Sequence, residues 1–230
     1  MTVVAVVPAA GRGERLGLGL PKALAPVGGR AMVARAVDGL LAAGVTSVVV
    51  VCPVDGEAAM AQALGDRPVV VVPGADDRVG SVAAALPVLP DDVDVVLVHD
   101  AARCLCPATV VRAVVDAVRA GHVAVVPAMA VADTLKRTAD GGRVVATVDR
   151  AGLAAVQTPQ GFAPATLRAA HARAQDLRAA GVAIPATDDA GLVEDLGEAV
   201  VTVPGDPRAF KITTPLDLAM AEALVVAGPA

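Results

Sequence analysis

The sequence predicts an α/β fold: a mostly parallel β-sheet flanked by helices. Two observations carry that reading. Short valine-rich runs, apolar throughout instead of alternating, recur at 3–7, 48–52, 69–72, 94–98 and 123–126, and unbroken apolarity marks strands buried on both faces. Stretches with helical spacing lie between them, so strand and helix alternate as in repeated βαβ units. The 230 residues are 55% hydrophobic and 19% charged, against averages of about 45–50% and 25%. That composition excludes intrinsic disorder and suits one large domain over residues 1–230.

Taken in order, the run 3–7 ends at Pro8 and opens into a glycine-rich stretch reaching Lys22. Met32, Val33, Ala36, Val37, Leu40 and Leu41 then keep the spacing of one helical face, and Gly44 stops that helix. The runs 48–52 and 69–72 end at Pro53 and Pro73, and the run 94–98 leads into His99-Asp100. A second helix carries Val110, Val111, Val114, Val115 and Val118 and stops at Gly121. Weaker strands follow near 144–148, 153–157 and 199–203. The last helix opens at Thr214-Pro215-Leu216-Asp217, with a capping hydroxyl, proline in the first turn and a carboxylate two residues later.

One segment breaks the rhythm. Leu135–Thr138 and Arg143–Val148 are alternating runs on either side of Asp140-Gly141-Gly142, the pattern of a β-hairpin. Residues 133–149 are too polar on both faces for the core. They form either an ordinary surface hairpin or an arm that reaches a second subunit.

Composition removes several function classes. The mean hydropathy is +0.64, yet no apolar run approaches the ~18 residues of a spanning helix, so no membrane association is expected. The N-terminus has no basic segment of a secretory signal, and the expected location is cytoplasmic. The net charge is -5 with no basic block, and with no Trp, no Tyr and two Phe the chain lacks stacking platforms for bases. Nucleic acid is not an expected partner. Cys52, Cys104 and Cys106 form neither a disulfide framework nor a paired metal signature.

The stretch from Ala9 to Lys22 follows the first strand, where ligands bind in open parallel sheets and glycines let backbone N–H groups close on phosphates. Leu16 occupies the third-glycine position of a dinucleotide fingerprint, and no G-K-[ST] marks a P-loop. What remains is a cradle around Ala9, Ala10, Gly11 and Gly13, with Arg15 and Lys22 as cations and Pro21 stiffening the approach. The plain alternative is a flexible glycine turn with solvated charges. Asp100, at the end of another strand with small alanines beside it, suits Mg²⁺, which takes one or two carboxylates plus phosphate oxygens and water. No Ser or Cys nucleophile accompanies His99, which reads as a hydrogen-bonded structural histidine.

Together these residues resemble the 2-C-methyl-D-erythritol 4-phosphate (MEP) cytidylyltransferases of non-mevalonate isoprenoid biosynthesis. The likeness runs from Pro8-Ala9-Ala10-Gly11 and Pro21-Lys22 through Pro73-Gly74, Ser81-Val82 and His99-Asp100-Ala101-Ala102-Arg103 to Asp133–Arg137 and Thr147-Val148-Asp149-Arg150. It continues through Gln157-Thr158-Pro159-Gln160, Thr187-Asp188-Asp189-Ala190 and Lys211–Pro215. The first block is shared with many nucleotidyltransferases, whereas the Thr-Val-Asp-Arg, Gln-Thr-Pro-Gln and Thr-Asp-Asp-Ala blocks in that order are more selective.

The resemblance implies a Rossmann-like domain whose hairpin arm interlocks a homodimer, and transfer of a cytidylyl group from CTP to MEP with release of pyrophosphate. It implies Arg15, Lys22 and Lys211 as phosphate-stabilising cations and Asp100 as the ligand of Mg²⁺ or another divalent cation. Asp76, Ser81 and Arg103 match cytidine-side or adjacent positions. Arg150, Thr158, Thr187 and Lys211 match the MEP side, with Thr134 and Arg150 serving the neighbouring subunit. Gly80 stands where the family often has Asp, Leu16 where Met is common, Ala23 where Gln is usual and Cys104 where Pro is usual. The competing readings are a cytidylyltransferase for another polyol phosphate, such as ribitol 5-phosphate, and a nucleotide-binding regulator without turnover.

Overall fold

The computed structural model describes residues 2–11, 13, 16–17, 19–75, 77–184 and 186–228. Strands β1 (Thr2–Pro8), β2 (Pro26–Val27) and β3 (Arg30–Ala31) precede α1 (Met32–Ala42), β4 (Ser47–Cys52), α2 (Glu57–Leu64), β5 (Val69–Pro73) and α3 (Arg78–Ala85). Then come β6 (Val93–Val98), α4 (Ala108–Arg119), β7 (Ala124–Ala130), β8 (Leu135–Thr138) and β9 (Val144–Val148). The chain continues with β10 (Ala154–Val156), β11 (Gln160–Phe162), α5 (Pro164–Ala179), α6 (Asp189–Asp195), β12 (Val200–Pro204) and α7 (Pro215–Ala227).

The central sheet has the order β10-β7-β11-β6-β1-β4-β5, with β12 paired to β7. Pairs β1–β4, β1–β6, β4–β5 and β7–β12 are parallel, while β11 lies antiparallel between β6 and β7 and β10 antiparallel to β7. The expected sheet is therefore present, mostly parallel, with an antiparallel strand in its interior that periodicity did not reveal.

Strand alternation sorts the core into two layers. Val3, Ala5 and Val7 of β1 face Val33, Val37 and Leu40 of α1 and the valines of α4. Val4 and Val6 face the opposite way, onto Val82 of α3, Leu167 of α5 and Val193 of α6. A third cluster joins Leu16, Met32 and Cys104 to Ile212 and Ala221, packing the C-terminal segment against the glycine-rich loop.

The expected stops are in place. Gly44 and Gly121 take the left-handed φ of 98° and 107° just beyond α1 and α4, conformations that cost glycine little. Thr214 Oγ1 accepts from Asp217 N–H at 3.3 Å and Asp217 Oδ2 accepts from Thr214 N–H at 2.7 Å, a capping box at the start of α7. Strands β8 and β9 form a two-stranded sheet of their own, exposed along most of its length. Among the described residues, no helix is long and apolar enough to cross a membrane.

Gly161, in β11, shows how tightly α4 seats on the sheet. A Cβ there would stand 2.4 Å from Val114 Cγ1 and 3.1 Å from Val118 Cγ2. Gly161→Ala is expected to destabilise the protein by about 1–3 kcal/mol through overpacking. Urea unfolding should show a lower midpoint at unchanged slope; an unshifted midpoint would contradict this packing.

Candidate active site

A cleft of about 500 Å³ opens at the C-terminal ends of β1, β5 and β6. Ala9, Ala10, Gly11 and Gly13 line one wall, Ala75, Asp77 and Arg78 another, and Asp100–Ala102 the floor. Lys22, Lys211 and Thr213 complete it. Backbone dominates the first wall, as expected of a phosphate cradle.

Glycines allow the loops to approach one another. Gly13 has a φ of 76°, and its ideal Cβ would lie 3.0 Å from the backbone of Lys22, so a side chain there would push the lysine away. Gly74 would meet Ser81 Oγ at 2.9 Å and Cys52 O at 3.1 Å. Ser81, buried at 2% exposure, accepts from Ala75 N–H at 3.1 Å and donates to Ala75 O at 3.2 Å. Its hydroxyl fixes the loop after β5. Gly80 has room for nothing larger, since a Cβ would meet Ala75 Cβ at 2.8 Å and Asp77 Oδ1 at 3.2 Å. The aspartate common in the family would require this loop to take another course.

Asp100 is the electrostatic centre. Lys211 Nζ lies 2.8 Å from its Oδ2, Arg103 Nε 3.7 Å from Oδ2 and Arg78 Nε 3.7 Å from Oδ1. Burial pushes the carboxyl pKa up, but Lys211, Arg78 and Arg103 outweigh it and hold the pKa below the ordinary value. Asp100 is thus ionised at neutral pH. Arg78 is seated by Asp189, fully buried, whose Oδ2 accepts from Nη1 at 2.6 Å. His171 Nε2 lies 2.9 Å from the other oxygen of Asp189.

Behind Asp100, Thr158 Oγ1 accepts from the Asp100 N–H at 3.0 Å and lies 3.0 Å from His99 Nδ1. Burial pushes His99 down to about 4, so at neutral pH its ring is uncharged and Nδ1 can accept the hydroxyl hydrogen. His99 is the structural histidine the sequence suggested. Burial also pushes the Cys104 and Cys106 thiols up to about 11 and about 12, which removes them as nucleophiles at neutral pH.

The structure brings Ala9, Ala10, Gly11, Gly13, Lys22, Ser81, Asp100 and Lys211 to one cleft. Arg15 and Asp76 lie outside the described residues. Arg103 contacts Asp100 from the side while donating from Nη1 to Ala209 O at 2.7 Å. Thr158 is buried behind the cleft instead of lining it. Thr187 is exposed beside the first turn of α6, and Thr134 and Arg150 are exposed at the base of the hairpin; none of the three lines this cleft. Arg78, Asp189, Gln157 and Gln160 were not singled out from the sequence as site residues. Arg78 could have been found, since it is a cation immediately after the loop that ends β5.

Among the described residues, no cluster of three or more His, Cys, Asp or Glu is arranged to hold a metal. Asp77, also in the cleft, engages Gly80 N–H through Oδ1 and pairs Oδ2 with Arg178. Among the described cleft residues Asp100 is the carboxylate that no backbone N–H caps, though it faces Lys211, Arg103 and Arg78; a single carboxylate fits Mg²⁺ delivered on phosphate oxygens and not one caged by protein alone.

A family model described as 2-C-methyl-D-erythritol 4-phosphate cytidylyltransferase matches residues 3–227. The chain is 54% identical over 226 residues to the protein of that name from Nocardia farcinica, covering 97% of this chain and 94% of the relative. It is 53% identical to that from Saccharopolyspora erythraea, covering 98% and 100%. The crystal structure of the 2-C-methyl-D-erythritol 4-phosphate cytidylyltransferase from Thermus thermophilus superposes with a TM-score of 0.81 at 36% identity, covering 98% of this chain and all of that one. That of 4-diphosphocytidyl-2C-methyl-D-erythritol synthase from Anaerococcus prevotii superposes with a TM-score of 0.83 at 26% identity, covering 98% of each chain.

The buried neutral His99 gives stability a definite pH dependence. Unfolded, it takes up a proton near its ordinary 6.5; folded, only near 4. Between those values the unfolded chain binds more protons, so the stability it contributes is complete above 6.5 and falls as pH drops towards 4. The shift corresponds to about 3 kcal/mol. Unfolding free energy measured between pH 7 and 4.5 should fall less steeply in His99→Asn than in the wild type; identical slopes would rule out a buried neutral ring.

Proposed function

The chain belongs to the 2-C-methyl-D-erythritol 4-phosphate cytidylyltransferase family, and from that premise we propose that it transfers the cytidylyl group of CTP to MEP, releasing pyrophosphate and forming 4-diphosphocytidyl-2-C-methyl-D-erythritol, an isoprenoid precursor. The observation that carries the proposal is the meeting of Lys22 and Lys211, from opposite ends of the chain, with Asp100 in one glycine-walled cleft.

The reaction needs charge control more than proton transfer. The acceptor phosphate carries roughly -1.5 to -2 charge at neutral pH, so an oxygen of that group attacks the α-phosphorus of CTP without a general base. A new P–O bond forms as the bond to the β-phosphate breaks, and the electron pair leaves on pyrophosphate. Two polyanions must approach, and negative charge grows on the phosphorus and the leaving group. Lys22, with Arg15 of the same loop, neutralises charge at the cradle, while Lys211 aligns the acceptor against it. Asp100 would hold Mg²⁺, which supplies charge neutralisation on the phosphate oxygens. Lys211 lies 2.8 Å from Oδ2, so the lysine would stand beside a cation held by the carboxylate, and both positive charges would serve the phosphates.

Backbone groups of Ala9, Ala10, Gly11, Gly13 and the loop after β5, which Ser81 of α3 fixes, would hold the nucleotide. Cytosine and uracil differ in one exocyclic group, amine donor against carbonyl acceptor, and backbone carbonyls accept only from the first. Thr158 and Thr187 belong to the acceptor-side framework of this proposal, and Arg103 to the nucleotide side.

The proposal extends to a homodimer in the cytoplasm. The hairpin pairs with no strand of the main sheet, and it exposes Val144 and Val145 at 56% and 44%, apolar surface that a second copy would cover. Thr134 and Arg150, which do not line the cleft of their own subunit, would then serve the partner's site.

One incubation tests the activity: MEP and ribitol 5-phosphate, each with CTP, UTP, ATP or GTP and Mg²⁺, with pyrophosphate as the readout. Release should be largest with CTP and MEP; comparable turnover with UTP or ATP, or with ribitol 5-phosphate, would refute the assignment. Lys22→Ala should lower turnover about 10²–10³-fold while keeping cooperative unfolding, and survival of activity within a few-fold would remove Lys22 from the chemistry. Deleting 134–148 should give monomers with impaired use of the acceptor; a fully active monomer would exclude the interlocking arm.

A further inference from the structure

The segment Gln157–Gln160 contributes no side chain to the cleft lining, yet all four of its residues are buried. Its three polar side chains each grip a different part of the site. Gln157 Oε1 accepts from Asp206 N–H at 3.0 Å and Nε2 donates to Asp206 O at 2.9 Å, a ring of two hydrogen bonds on one backbone unit. Thr158 accepts from the Asp100 N–H. Gln160 Nε2 donates to Asp188 Oδ2 at 2.7 Å, and its Oε1 accepts from Ala190 N–H at 3.1 Å.

These targets are the strap leading to Lys211, the backbone of Asp100 and the first turn of α6, which presents Asp189 to Arg78. The strap shows the dependence most clearly. Asp206 begins the stretch from β12 to Lys211, and the Gln157 clamp fixes its start. Gly205 lies against the clamp, where a Cβ would come within 2.5 Å of Gln157 Oε1 and 3.1 Å of Ala128 O. Further along, Arg103 holds Ala209 O, and Ile212 N–H donates to Ala102 O at 2.9 Å. Lys211 is 45% exposed and its side chain meets Asp100 Oδ2, while the backbone contacts of the strap set where that side chain starts from. A buried amide with both groups satisfied is a high-stakes contact, because breaking one bond strands the other partner.

We propose that Gln157–Gln160 is a positioning hub for the site and that Gln157 acts on turnover through Lys211, by registering the strap that carries it. This rests on the cytidylyl-transfer reading, in which Lys211 aligns the substrates. Residues that act through one another give non-additive losses, whereas independent ones multiply.

The test is a double-mutant cycle on kcat/KM for MEP, with thermal unfolding measured on every variant. Lys211→Ala should retain a measurable remnant of turnover. Gln157→Leu should lower kcat/KM at least tenfold in the wild-type background and less than twofold in the Lys211→Ala background. Equal factors in both backgrounds, or a less stable Gln157→Leu with wild-type kinetics, would overturn the proposal and leave the clamp purely structural. Should Gln157→Leu not fold, Gly205→Ala enters the same cycle, since it displaces the clamp from the other side with Gln157 intact, and the same two results decide. A Lys211→Ala enzyme as active as the wild type would overturn the functional reading of Lys211 and the hub together, a failure distinct from simple multiplication of effects.

Discussion

The carboxylate of Asp100 is the constraint around which the site is organised. A charge taken largely out of water costs several kcal/mol unless it is paired and hydrogen-bonded. Here the compensation comes from Lys211, Arg103 and Arg78, which lie far apart in sequence. Meeting that demand fixes the course of the chain: the strap after β12 must return to β6, and the start of α3 must lie beside it. Asp189, itself fully buried, pins Arg78 between two carboxylates, so the guanidinium neutralises both without closing fully on Asp100.

The sheet makes this convergence possible. Parallel strands deliver β1, β5 and β6 to one edge, where their loops meet with little chain to order. Valine on both faces of β1, β4 and β6 buries the scaffold, while glycine and alanine in the loops leave the backbone open to a ligand. Rigid strands beneath and small residues above suit a reaction whose catalysis consists of placing fixed charges around a phosphorus atom. The neutral His99 and the high thiol pKa values of Cys104 and Cys106 fit chemistry that needs no proton-transferring side chain.

What could be read from sequence followed from how strongly each element depends on its own residues. The buried parallel strands announced themselves because burial on both faces demands unbroken valine, and the hairpin because its solvent-exposed strands alternate around two glycines. Strand β11 did not, being three residues long and opening on the polar Gln160. Helices α2 and α5 also gave little signal, since both are alanine-rich with few large apolar residues and so carry weak periodicity. Lys22 was legible because it closes the glycine-rich loop after β1, and Asp100 because it follows the C-terminal end of β6. Lys211 was reached only through family resemblance, because its strap has no distinctive local pattern. Thr158 was assigned by the same resemblance to the acceptor side; its buried hydroxyl holds the Asp100 N–H and faces His99, a role that depends on contacts 58 and 59 residues away in sequence. Gln157 and Gln160 were quoted as part of a motif, but the partners that give them meaning are visible only in three dimensions.

Replacing the carboxylate at the centre tests the account most directly. Asp100→Asn keeps the shape and the capacity to hydrogen-bond while removing the charge that gathers the cations. At saturating CTP, MEP and Mg²⁺, pyrophosphate release from this variant should fall by about 10² or more with cooperative unfolding retained. Turnover within a few-fold of the wild type would mean that the cations around Asp100 do not depend on its charge, contrary to the organisation described.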